Sequence, residues 1–416
     1  MPGRLWLALL LTLPLAAHGA PLRLNTDIFP PYQVQEGDRL TGSSIKALAC
    51  IFSAMDRDYE IRVLPWQRAV HDVSLGRAEG FFSATRMNRA NDFATLSAPL
   101  ALEKWYWYSN TPVRPPAFGS GSKLRIGGVR GSNQVDWLLQ HGYEVDPMVT
   151  TTSQLLHLLK RGRIDAFLAD QQTLRIELTQ QPLDLRPRNA YFQQYTTLGV
   201  YFANALLGRE PGFLEQFNRQ VYQCIPEISV LQADERERLQ KLHTTLFANW
   251  RHEPVLIEGI LQQNQRHANI SLSRIHELDQ QWQAEQQQAD KPLISGVLGS
   301  PLSAWLARQQ ASYNGLVSEI MVTDQHGLNV AASELTTDYW QGDEAKFAEP
   351  FFASQDRPFM GPLSYDQSTQ RYQVHISTAI RRPGGDDVIG VMVLGIDIER
   401  ALKMENSLFD GESIPQ

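Results

Sequence analysis

The chain has 416 residues, which at roughly 150 residues per domain implies two or three domains and excludes a single small module. Hydrophobic residues make up 43% and charged residues 20%, a balance that excludes both wholesale disorder and a polytopic membrane protein. With 38 Lys+Arg against 45 Asp+Glu the formal net charge is -7, so the chain lacks the basic field that holds a phosphate backbone, and no nucleic acid is expected as a partner.

Residues Met1 to Ala20, MPGRLWLALLLTLPLAAHGA, carry one charge at Arg4, an apolar run from Leu5 to Ala17 and small residues at the end. This is the pattern of a secretory signal peptide, and the mature chain is expected to start near Ala20 in the periplasm. The apolar run is shorter than the ~20 residues that span a bilayer, and no later segment reaches that length. No Cys follows the cleavage zone, so a soluble protein without a lipid anchor is expected. Cys50 and Cys224 are the two cysteines. In an oxidising compartment their pairing is the first reading and would be worth roughly 5 kcal/mol of chain entropy, with two buried thiols as the alternative.

From Leu22 onward, short apolar strands alternate with amphipathic helices: LRLNTD, a helix near Ser44 to Met55, EIRVLPW, a helix near Arg68 to Gly76, then GFFSAT. That order predicts an α/β lobe with a largely parallel sheet. A second such unit starts at Lys123, with the strand LRIGGVRG, helices over Gln134 to His141 and Ser153 to Arg161, and the strand DAFLAD. The Pro/Gly/Ser-rich stretch Thr111 to Ser122 and the segment Leu198 to Asn204 are the expected crossings between lobes. The Gln-rich stretch Val255 to Lys291, bounded by Pro254 and Pro292, predicts one long helix. A short helix near Leu302 to Tyr313 follows, then the strand-like runs EIMVTD, LNVAAS, RYQVHISTAI and VIGVMVLGID, joined as hairpins at Gln325-His326-Gly327 and Pro383-Gly384-Gly385.

The pieces TDIFPPY, LTGSSIKALACIFSAM, LPWQRAVHDVSLGRAEGFFSAT, FATLSAPL, GGVRGSNQ and GRIDAFLAD, in this order and spacing, resemble the family 3 extracellular solute-binding proteins. The resemblance implies a two-lobed α/β type 2 periplasmic-binding-protein domain over residues 21 to 252, with lobe 1 at about 21–110 and 199–252 and lobe 2 at about 111–198. Carried onto this sequence, it places an aromatic sandwich at Phe29 and Trp66 and a polar contact at Ser83. An anion contact falls at Ser132 or Asn133, and an acidic partner for an amine at Asp170. Arg130 is a further candidate. The family's carboxylate-clamping Arg normally follows a Thr-to-Glu run; here the stretch reads TRMNRAND, with Asn88 where the Glu is expected, leaving Arg89 and Arg86 as candidates.

A second set of residues, HELDQQW, EIMVTDQHGLNVAASELTTDYWQGDE, GPLSYDQSTQRYQVHISTAI and IGVMVLGIDIERAL, resembles the PDC or Cache extracytoplasmic sensor domains. That resemblance implies an α+β, PAS-like domain with a long N-terminal helix over residues 253 to 405, followed by a tail at 406–416. Its candidate pocket residues are Tyr339, Trp340, Tyr365, Tyr372 and His375.

No nucleophile elbow, metalloprotease helix, phosphate-binding loop or metal-spaced Cys/His cluster is present, so neither a catalytic site, a metal nor a cofactor is expected. The sequence-level expectation is a periplasmic binding protein that closes on a small polar solute by hinge motion. It would pass the signal to a membrane receptor, kinase or cyclase, with homodimerisation through the long helix. The alternative is the substrate-binding component of an ABC-type amino-acid transporter with an appended dimerisation or docking domain, whose partner would be a permease; an enzyme is the least favoured reading.

Overall fold

The computed structural model describes residues 20–112, 123–225, 230–355, 357–366 and 371–408. Residues 1–19 of the signal segment, most of the Thr111 to Ser122 crossing and residues 409–416 of the C-terminal tail lie outside the described residues. Among the described residues, no helix is long and apolar enough to cross a membrane.

The chain divides into two compact units, with breaks after Leu102, Thr196 and Ile225. In the first unit the strands Leu22–Thr26, Tyr59–Val63 and Gly80–Ala84 are parallel neighbours, with Leu22–Thr26 in the middle. The C-terminal half of Asn189–Ala203 pairs antiparallel to Gly80–Ala84 and to Ala94–Leu96. Helices Ser43–Ala54 and Trp66–Ser74 provide the crossovers that parallel strands require. Leu24, Leu48, Ile51, Phe81, Phe82, Phe202 and Phe217 are fully buried, and Phe52 stacks on Tyr59 and meets Phe217. Gly42 opens the first helix with φ 118, and a Cβ there would lie 2.3 Å from the Tyr32 carbonyl, so only glycine lets the 31–32 loop sit on the helix start. Cys50 and Cys224 are joined, with Cα atoms 5.9 Å apart, so the disulfide reading holds.

The second unit begins with strands Ile126–Val129 and Ala166–Asp170, which are parallel, flanked by Val145–Val149 on one side and antiparallel Ala101–Ser109 on the other. The alternating Trp105, Tyr106, Trp107 and Tyr108 are all buried, because helices cover the sheet. Helix Thr152–Lys160 starts with a Thr151/Gln154 capping box. The same unit contains an antiparallel sheet in the order Asn329–Ala332, Val317–Thr323, Val388–Asp397, Arg371–Arg381, Phe359–Met360. The Pro383-Gly384-Gly385 segment is the turn between its two longest strands, with Gly384 at φ 76.

The single long helix expected over 255–291 is two helices, Pro254–Arg266 and Leu272–Glu285. The break has a local cause: Ser271 accepts the Arg274 N–H as an N-cap, closing off the turn at His267 to Ile270. The second helix is then free to dock, with Trp282 Nε1 donating to the Thr336 carbonyl and its ring stacked on Tyr339.

The two parts of the second unit share buried polar contacts. Lys104 pairs with the fully buried Glu235 at 2.7 Å, and Tyr195 donates its hydroxyl to the same carboxylate. His243, on helix Ala233–Leu246, shares a 3.0 Å hydrogen bond with Thr378 on the sheet, and burial together with Arg251 lowers its pKa to about 4. The folded state therefore keeps His243 neutral where the unfolded chain takes a proton. This contribution is complete above about pH 6.5 and is lost as pH falls toward 4. Urea unfolding at pH 7 and pH 5 should show about 2 kcal/mol lost from this residue, and His243→Gln should remove that part of the pH dependence.

Candidate functional site

In open α/β sheets, ligands bind beyond the carboxyl ends of the parallel strands, and most of the sequence-derived candidates lie there. In the first unit Phe29, Trp66 and Ser83 lie at or just beyond the ends of three adjacent parallel strands. Ser83 is buried and held at φ 58, a left-handed conformation unusual for a residue with a side chain, in the last turn of strand Gly80–Ala84. Its hydroxyl accepts from the Gln33 amide and shares a 3.0 Å hydrogen bond with the Ser44 hydroxyl. Gln33 is fully buried and its Oε1 has no hydrogen-bond partner among the described residues. Strained backbone next to an unsatisfied buried acceptor costs stability and recurs at binding sites.

Phe29 is half-buried, with its ring 5.2 Å from Tyr32. Trp66 is also half-buried but packs edge-on against Phe81 at 5.7 Å, so part of its ring belongs to the core. Arg86 and Arg89 are exposed, and neither has an ion-pair partner among the described residues.

In the second unit Arg130, Ser132, Asn133 and Asp170 follow the ends of the parallel pair Ile126–Val129 and Ala166–Asp170. Arg130 is exposed. Ser132 caps helix Asn133–Gln140, accepting the Val135 N–H at 3.2 Å. Asp170 is 3% exposed and caps helix Gln171–Thr179 through Thr173, while its other oxygen accepts the Lys104 N–H at 2.9 Å. Those contacts make Asp170 a structural cap as well as a candidate contact.

Sequence reasoning missed Glu103. It is fully buried, accepting from Trp105 Nε1 at 3.1 Å and Gln134 Nε2 at 3.4 Å, and burial plus the neighbouring Asp170 carboxylate raise its pKa to about 8. A protonated acid thus sits against the start of helix Asn133–Gln140, beside residues expected to receive an anion. In the strand ALEKWYWY it stands next to Lys104, so no local signal set it apart as a site residue.

Of the five candidates in the C-terminal part, Tyr365 and Tyr372 meet with their rings 5.1 Å apart, but the five do not line one cavity. Tyr339 is buried on Trp282. Trp340 Nε1 donates to the His326 carbonyl. Tyr365 is 45% exposed and pairs with Tyr372 across two strands, and His375 bonds Glu319 at 2.8 Å. Tyr339 alone of the five lines the large cavity of this part.

No family model matches this chain, and no curated protein does. Solved structures similar to part of it include the arginine-, lysine-, histidine-binding protein ArtJ from Geobacillus stearothermophilus. That likeness has 15% identity and TM-score 0.38, and covers 50% of this chain and 90% of that one. An ancestral arginine-binding protein bound to arginine has 16% identity and TM-score 0.39, covering 50% of this chain and 94% of that one. The GluR0 ligand-binding core from Nostoc punctiforme in complex with L-glutamate has 14% identity and TM-score 0.39, covering 55% and 99%. At such identities and TM-scores these likenesses assign no family to the chain.

Proposed function

We propose that this protein is a periplasmic ligand-binding sensor. Its α/β part captures a small polar solute of the amino-acid class by closure of two lobes, and its C-terminal part relays occupancy to a membrane partner. The observation that carries the reading is Ser83: a strained, buried hydroxyl with Gln33 and Ser44 around it, beyond the ends of adjacent parallel strands. Gln33 Oε1 supplies an acceptor with no internal use among the described residues, suited to a ligand N–H. Exposed Arg86 and Arg89 supply the cations that a carboxylate needs. A relay role for the C-terminal part is favoured by Lys104 and Tyr195, which bind buried Glu235, and by the Tyr195 N–H, which donates to Glu399 at 2.7 Å.

A thermal-shift screen of the mature protein against amino acids, polyamines and organic acids tests this. A ligand at 100 times its Kd should stabilise the native state by about 2.7 kcal/mol. Arg86→Gln or Arg89→Gln should weaken the hit by about tenfold or more, the ~1.5–3 kcal/mol expected of a charged hydrogen bond. Unchanged affinity in both variants would remove the carboxylate clamp from the account.

A further inference from the structure

The C-terminal part contains a cavity of about 850 Å³, bordered by helices Pro254–Arg266, Leu272–Glu285, Pro292–Leu298 and Pro301–Ser312. That is the size of a site for a ligand of several hundred daltons. Its lining is mixed: Val255, Leu278, Leu293, Val297, Leu302 and Val330 supply the apolar part. Its polar row comes from one helix: Glu258, Gln262 and Arg266 recur at four-residue spacing and so share a face.

Glu258 and Arg266 are eight residues apart, about 12 Å along the helix, too far to pair with each other. Neither has an ion-pair partner among the described residues. The cavity thus has an acidic end and a basic end, both on exposed side chains, with Gln262 midway between them on the same helix face and apolar side chains along the rest of the wall. Next to the exposed Arg266 side chain, the end of the helix is tied down. Asp324, fully buried, accepts from His267 Nδ1 at 2.7 Å and Gln263 Nε2 at 3.1 Å, and its other oxygen takes the N–H groups of His326 and Leu328. These bonds tie the end of helix Pro254–Arg266 to the hairpin turn and fix the imidazole that lines the cavity beside Arg266.

We infer that this cavity is a binding site for a short zwitterionic peptide with apolar side chains, its ammonium at Glu258 and its carboxylate at Arg266. An extended chain spans at most ~3.3–3.6 Å per residue, so about three to four residues bridge the two charges. The site is separate from the proposed solute site of the α/β part and does not depend on it.

The test is calorimetric titration of the full mature chain with trileucine, with N-acetyl-trileucine and with trileucine amide. Trileucine should bind, Arg266→Gln should weaken it at least tenfold, and the amide should bind wild type and Arg266→Gln alike. Glu258→Gln should weaken trileucine but leave N-acetyl-trileucine unchanged. Gly296 lines the cavity, and a Cβ there meets nothing within 4 Å. Gly296→Trp therefore fills the space without a backbone clash and should abolish binding while unfolding like wild type. Arg86→Gln and Arg89→Gln should leave the trileucine titration unchanged, which separates this site from the α/β one. Absence of trileucine binding at millimolar concentration, or equal binding by wild type, Arg266→Gln and Gly296→Trp, would overturn the inference.

Discussion

Replacing Cys50 and Cys224 with serine is expected to cost about 5 kcal/mol of stability. The bond closes a loop of 174 residues, and the unfolded chain gains that much entropy when it is cut. The bridge ties helix Ser43–Ala54 to helix Phe213–Cys224, which also touch through Phe52 and Phe217. That aromatic contact survives in the variant, so the fold should persist with a lower urea midpoint rather than disappear. A loss under about 1 kcal/mol would mean that the reduced, unfolded chain retains the contact between these helices.

Glu103→Gln is expected to stabilise the protein at pH 8 and to change little at pH 5. The folded state holds a proton on Glu103 up to about pH 8, whereas an unfolded glutamate releases it near 4.5. The contribution is complete below about pH 4.5 and is lost as pH rises toward 8, on the order of 4 kcal/mol across that window. Gln keeps an acceptor for Trp105 and Gln134 without the charge that burial and Asp170 oppose. Urea midpoints for wild type and variant at pH 5, 6.5 and 8 measure this. The slope is opposite in sign to that from His243, so the two variants should tilt the pH profile in opposite directions. A variant less stable than wild type at pH 8 would mean that the ionised Glu103 is the favoured form.

Local pattern carried much of the architecture. The helix read near Ser44 to Met55 is Ser43–Ala54, and the strand read as DAFLAD is Ala166–Asp170, because apolar spacing and the flanking Gly and Asp residues are local signals. Val255 to Lys291 misled because its Gln-rich composition has no Pro or late Gly to interrupt a helix, and the Ser271 cap was visible only as a single serine. Asp170 was legible as an acid at a strand end, and its role as a cap follows from Thr173 three residues on. Glu103 and Asp324 were not legible as site residues. Their partners Gln134, His267 and Gln263 lie 31 to 61 positions away, and only tertiary packing brings them together. Tyr365 and Tyr372 were read as pocket aromatics; they face each other across the strands Ser364–Asp366 and Arg371–Arg381, a pairing that only the strand register reveals, and Tyr365 is 45% exposed.

Hydrogen exchange with and without the solute that gives the largest thermal shift tests solute capture most directly. Capture by both lobes predicts new protection at two separated segments, around Gln33, Ser44 and Ser83 and around Arg130 to Asn133, at saturating solute. Protection of one segment alone, or of neither, would contradict the account.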